Sequence, residues 1–108
     1  MGQTQVIHDE HVYIELWSSL ASLLRSYTVA HGLDMNRQAT VEADEEKITV
    51  RHGEKRLHLE RNASIVTWMR EDSSSGKMEI TEAGRLRNET GEDEMDLIAE
   101  AWARELMR

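Results

Sequence analysis

The chain has 108 residues, 39% hydrophobic and 31% charged, with a formal net charge of −8 and no cysteine or proline. That apolar content suits one packed core and argues against disorder, and the length is that of a single domain, expected over residues 1–108. Without cysteine there are no disulfides, thiolate nucleophiles or cysteine-based zinc sites, and the apolar runs are too short for a membrane-spanning helix.

The opening residues, MGQTQVIHDEH, have neither the basic start nor the apolar stretch of a secretory leader. A cytoplasmic protein is therefore expected. Charge is unevenly placed. Residues 1–34 hold four acids and one base, residues 89–108 hold seven acids and two bases, and residues 35–88 hold ten of each. A duplex-binding surface draws its affinity from a basic excess, which none of these three segments has. Neither nucleic acid nor a membrane is expected as a partner.

The first helix is predicted from about Asp9 to His31. Tyr13, Trp17, Leu20, Leu24 and Tyr27 recur at spacings of four and three and line one face. Asp9 reads as its N-cap and Gly32 as its stop. The stretch HDEH at its start, followed by Glu15, is the best metal-ligand pattern in the chain. His11 and Glu15 stand one turn apart, and His8 lies one turn before His11. A polar, capped helix start explains the same residues without a metal.

The period then changes to two. Val41 and Ala43, Ile48 and Val50, Leu57 and Leu59, Val66 and Trp68, and Met78 and Ile80 alternate with mostly polar neighbours. Short connections at Glu45-Glu46, Gly53-Glu54 and Asn62-Ala63 predict consecutive antiparallel hairpins. EDSSSG, residues 71–76, reads as a loop with a flexible tip. The second helix is predicted after Gly91, with Thr90 as its cap and Met95, Ile98, Trp102 and Leu106 as its apolar stripe. Acids in ETGEDEMD would then complement the helix dipole. The expected architecture is α+β: a two-layer sandwich in which a meander of about five strands carries the N- and C-terminal helices on one face. Whether Arg85 to Asn88 adds a strand is open at this level.

One stretch, VRHGEKRLHLER at residues 50–61, fixes a register. With Gly53-Glu54 as the turn, Val50 faces Leu57 and Ile48 faces Leu59 on the buried side. Arg51 then lies opposite Arg56, and Thr49 opposite His58, on the other side, while His52 and His58 fall on opposite faces. Paired arginines repel unless an acid relieves them. The same register brings Ile65 and Met69 onto the exposed face. Arg51, Arg56, His58, Ile65 and Met69 are therefore read either as a solvated surface or as a docking patch for an anion or an acidic partner. The face lacks aromatics on which bases could stack.

No catalytic constellation is visible. The serines of the first helix lack a glycine-flanked nucleophile turn, and there is no phosphate-cradling glycine loop or His-Glu-x-x-His. Helix, antiparallel meander and helix, with Trp68 in a middle strand and Gly91 to Leu106 closing the chain, resembles the element order of frataxin-like proteins. That resemblance implies iron binding on an acidic first helix and first strand. Asp9, Glu10 and Glu15, with Glu42, Asp44, Glu45 and Glu46, stand in those places here. Shape alone does not carry function. The expectation is a non-catalytic binding or adaptor domain without a cofactor. It would be a homodimer or have a protein partner, and would act through the exposed sheet face or through the first helix. The alternative is a metal-handling protein using His8, His11 and Glu15.

Overall fold

The computed structural model describes residues 2–32 and 39–108, with side chains from Glu10 onward in the first helix. That helix, α1, spans Gly2–Gly32. It starts earlier than expected because no glycine or proline interrupts residues 3–31. Asp9 is therefore inside the helix and not at its cap; its side chain, like that of His8, lies outside the described residues. Trp17, Leu20, Ala21, Leu24 and Thr28 are buried, and the Thr28 hydroxyl donates to the Leu24 carbonyl at 2.8 Å.

Seven strands follow: β1 (Thr40–Ala43), β2 (Lys47–His52), β3 (Lys55–Asn62), β4 (Ile65–Arg70), β5 (Ser75–Ile80), β6 (Arg85–Asn88) and β7 (Gly91–Glu94). They form one antiparallel sheet in sequential order. Helix α2 (Met95–Leu106) closes the fold. The α+β meander with terminal helices is as expected; the strand number is seven and not about five. The extra strands are β6 and β7. Only Leu86 there is buried, and charge pairs hold the rest: Arg85 bonds Glu94 at 2.9 Å and Glu92 at 3.3 Å, and Arg87 pairs with Glu79. The acids of residues 92–94 thus serve a strand ladder, and α2 begins at Met95 with no side-chain cap at Glu94. Thr90 is not a helix cap. Its N–H and hydroxyl both donate to the Asn88 side-chain oxygen in the β6–β7 turn.

The predicted β2–β3 register is observed in full, from Lys47 opposite Glu60 to His52 opposite Lys55, with Gly53 at a φ of 62° in the turn. The β3–β4 turn is one residue later than expected. Asn62 pairs with Ile65, so the turn residues are Ala63 and Ser64, and Ala63 takes a φ of 55°. The loop expected over residues 71–76 is shorter than that. Ser75 and Gly76 belong to β5, and the Asp72 carboxylate accepts from the Ser74 N–H and hydroxyl.

The core lies between the sheet and both helices. Ile48, Val50, Leu57, Leu59, Val66, Met78, Ile80 and Leu86 meet Trp17, Leu20 and Leu24 of α1 and Met95, Ala99, Trp102 and Leu106 of α2. The two helices are joined by the Tyr27 hydroxyl on Asp96 and by His31 with Glu100 at 2.8 Å. On the sheet side, the Trp17 indole N–H donates to the Asp44 carbonyl at 2.8 Å. Arg61 is buried beneath α1 and ties Glu10 to the carbonyls of Glu45 and Ala63. Among the described residues every buried side-chain nitrogen and oxygen has a partner.

Asp44 joins two of these layers. Its carboxylate accepts the N–H groups of Glu46 and Lys47 at 2.8 and 2.7 Å, which closes the β1–β2 turn that receives Trp17. Those donors hold its carboxyl below the ordinary aspartate value of 3.8. A carboxylate with a depressed folded-state pKa stabilises the fold above its unfolded value, and that contribution is lost as pH falls through the folded value. Asp44→Ala is expected to lower the melting temperature and to weaken the pH dependence of melting below about pH 4. Calorimetric melting curves of both proteins across acidic pH test this; parallel curves contradict it.

Candidate binding surface

The helices cover one face of the sheet, so residues of the opposite parity point outward along every strand. On β2 and β3 this places Arg51 directly opposite Arg56 and Thr49 opposite His58, and on β4 it places Met69 opposite His58. Ile65 lies two positions from Thr67 on the same strand face, opposite Asn62. Ile65 is 41% and Met69 42% exposed, unusual for large apolar side chains in the middle strands of a sheet. All five residues of the expected patch therefore share the exposed face.

The polar part of the patch is partly organised. His58 is held from both sides of its ring: Nδ1 lies 2.8 Å from the Thr49 hydroxyl and Nε2 2.9 Å from the Glu60 carboxylate. This fixes the imidazole plane beside Met69. The arginines are different. Among the described residues neither the Arg51 nor the Arg56 guanidinium has an ion-pair partner, although the surface pairs elsewhere on the molecule are well formed. The Glu71 carboxylate accepts the backbone N–H of Arg56 at 2.9 Å. That bond holds the Glu71 carboxyl below the usual glutamate range.

A second feature was not foreseen from the sequence. At the end of the sheet, between the C-terminus of α2 and the starts and ends of β3 and β4, a cleft of about 250 Å³ is lined by Lys55, Arg56, Arg70, Glu71, Trp102 and Arg108, among others. Lys55 Nζ donates to the Glu105 carbonyl and to the main-chain oxygen of Arg108, which closes the end of α2. Arg70 makes a two-pronged pair with Glu105, at 3.0 and 2.8 Å, while lying 5.2 Å from the centre of the Trp68 ring. The buried His52 donates its Nδ1–H to the Leu106 carbonyl at 2.9 Å. Three distant segments build the cleft, so no local sequence pattern announces it.

The metal-ligand pattern of the first helix is only partly described. His11 and Glu15 face each other at 3.2 Å, both largely exposed, and the side chain of His8 is outside the described residues. Among the described residues no group of three or more histidines and acids is arranged to hold a metal ion. No described helix is long and apolar enough to cross a membrane. Comparison of the chain with protein-family models, curated proteins and solved structures finds no match. The likeness to frataxin-like proteins accordingly rests on element order alone, and the surfaces are interpreted from their own chemistry.

Proposed function

We propose that the chain is a binding domain whose exposed sheet face takes an acidic segment of a protein partner. Arg51 and Arg56 supply the charge, His58 a fixed polar contact, and Ile65 and Met69 the apolar anchor. One observation carries the reading: among the described residues two arginines stand side by side with no ion-pair partner for either guanidinium, on the sheet face that also exposes Met69 and, further along β4, Ile65, in a chain of net charge −8. An unrelieved like-charge pair costs roughly 0.2–1 kcal/mol in a sheet. A partner's carboxylate removes that cost and gains charge-assisted hydrogen bonds to planar guanidinium donors. The apolar neighbours then exclude water from the contact.

The test uses a short labelled peptide rich in glutamate and leucine, with the same peptide carrying glutamine for glutamate as control. Fluorescence anisotropy is expected to show binding of the acidic peptide that weakens as salt rises. Charge reversal in Arg51→Glu/Arg56→Glu should reduce affinity by about tenfold or more, and Ile65→Lys/Met69→Lys should do the same. Equal binding of both peptides, or no effect of either pair of substitutions, would refute the acidic-partner reading. A dimer of the untagged protein that dissociates in Ile65→Lys/Met69→Lys would make the partner a second copy of the chain.

A further inference from the structure

We infer that the chain pairs with a second copy of itself along the outer edge of β1, which joins two sheets into one. Strand order leaves β1 and β7 at the ends of the sheet, each with one row of backbone N–H and C=O groups that no other described strand meets. Such a row accepts another strand unless charge, proline or a covering segment prevents it. On β7 charge prevents it. Glu92, Asp93 and Glu94 are consecutive, and Asp93 pairs with the buried Leu86, so an acid stands on the helix side of that edge. Strand β1 has no counterpart. Its helix-side residues are Val41 and Ala43, opposite Val50 and Ile48, and Ala39 continues the row. Ala39 and Val41 are half-buried against the core, and Ala43 is exposed. The apolar layer of the sheet therefore runs out to the β1 edge and stops there uncharged.

Parity and charge select the occupant and its register. When two copies of one strand pair antiparallel about a two-fold axis normal to the sheet, residues of like parity face each other and helix side meets helix side. An axis at Glu42 would set two glutamates opposite one another, which costs stability. An axis at Val41 sets Val41 opposite its own copy and Ala39 opposite Ala43 of the other chain. On the outer side Thr40 then meets Glu42, whose carboxylate accepts from the hydroxyl. In this register the strand complements itself on both faces. A four-residue strand alone buries too little for the roughly 1,000 Å² of a stable interface, and α1 supplies more. It packs over β1, whereas α2 packs over β3, β6 and β7. Tyr27 and His31 of α1 face α2. At about 100° per residue, Val29 lies on the opposite flank, above the β1 edge. It is 63% exposed, more than any other large apolar side chain among the described residues. The same axis brings this flank of the two helices together.

The experiment is sedimentation equilibrium of the untagged protein over a range of concentrations, with amide hydrogen exchange of β1 at the two extremes. A species of twice the chain mass is expected, with exchange of the β1 amides slowed as it forms. Ala43→Lys puts a charge on the helix side of β1, as Asp93 does on β7, and should weaken the dimer by about tenfold or more; Val29→Lys should do the same. Both positions are exposed, and an unchanged circular dichroism spectrum shows that each variant is folded. Ile65→Lys/Met69→Lys, on β4 and the other face, should leave the dimer intact. A monomer at every concentration, a dimer that Ala43→Lys leaves unchanged, or a dimer that only Ile65→Lys/Met69→Lys dissociates would each overturn the proposal. Binding of the acidic peptide to the Ala43→Lys protein reports separately on the outer face, so either reading can fail without the other.

Discussion

Replacement of Gly76 by alanine is expected to lower stability by about 2 kcal/mol, a fall in melting temperature of roughly 10 °C for a domain of this size. Gly76 pairs with Trp68 across β4 and β5, on the helix side of the sheet. A Cβ at that position would stand 2.7 Å from Cε2, Cζ2 and Nε1 of the Trp68 ring. Space is the reason for glycine here, since its backbone does not occupy the left-handed region. The ring is not free to move aside. Arg70 packs over it and is itself tied to Glu105 of α2, so displacing the indole disturbs a stack and an ion pair together. The same substitution in a Trp68→Val background should be neutral or stabilising, because the clash is gone and alanine has less backbone freedom to lose than glycine. Thermal melts of the four proteins in this cycle measure the coupling. Equal costs in both backgrounds would show that the ring is not what Gly76 accommodates.

Arg61→Ala is expected to have the largest effect of any single charged-residue substitution, about 3 kcal/mol. The side chain is only 3% exposed, yet three hydrogen bonds hold it: Nε donates to the Glu45 carbonyl at 2.9 Å, and one terminal nitrogen donates to the Ala63 carbonyl at 3.0 Å and to Glu10 at 3.1 Å. Alanine leaves two carbonyls without their donor and a cavity where the guanidinium stem packed. It also releases α1 from the β1–β2 and β3–β4 turns. Glu10→Ala should cost less, about 1 kcal/mol, because Glu10 is half exposed and both carbonyl bonds survive. Denaturant unfolding of the two variants gives the comparison. A larger loss for Glu10→Ala would mean that the ion pair, and not the carbonyl bonding, is what Arg61 contributes.

The parts of this fold that the sequence makes legible are those where side-chain parity and a strong turn residue agree. Val50, Leu57 and Gly53 leave one register open for β2 and β3, and the exposure of Ile65 and Met69 follows from it. The same parity turns Arg61 inward with Leu57 and Leu59, a signal easily passed over because arginine is usually a surface residue. Strands β6 and β7 lack such agreement. One buried leucine and a ladder of cross-strand ion pairs replace the hydrophobic alternation, and the acids that form the ladder resemble a helix start. Ala63 has no turn character of its own, so the β3–β4 turn is displaced by one residue in any local reading. The cleft draws on residues from β3, the end of β4 and the end of α2, and only the tertiary fold unites them. Arg51 and Arg56 were visible as neighbours; that neither has a carboxylate partner is a property of the folded surface.

The central claim is that the outer face of the sheet, and not the helices, carries the recognition surface. Methyl NMR of Ile65 and Met69 during titration with the glutamate- and leucine-rich peptide tests it most directly. The account predicts saturable shifts of both methyl groups and of the Arg51 and Arg56 amides, abolished in Arg51→Glu/Arg56→Glu, with α1 signals such as Val29 unchanged. Shifts centred on Val29 and the outer side of α1, with Ile65 and Met69 silent, would contradict it and move the recognition surface to the helix.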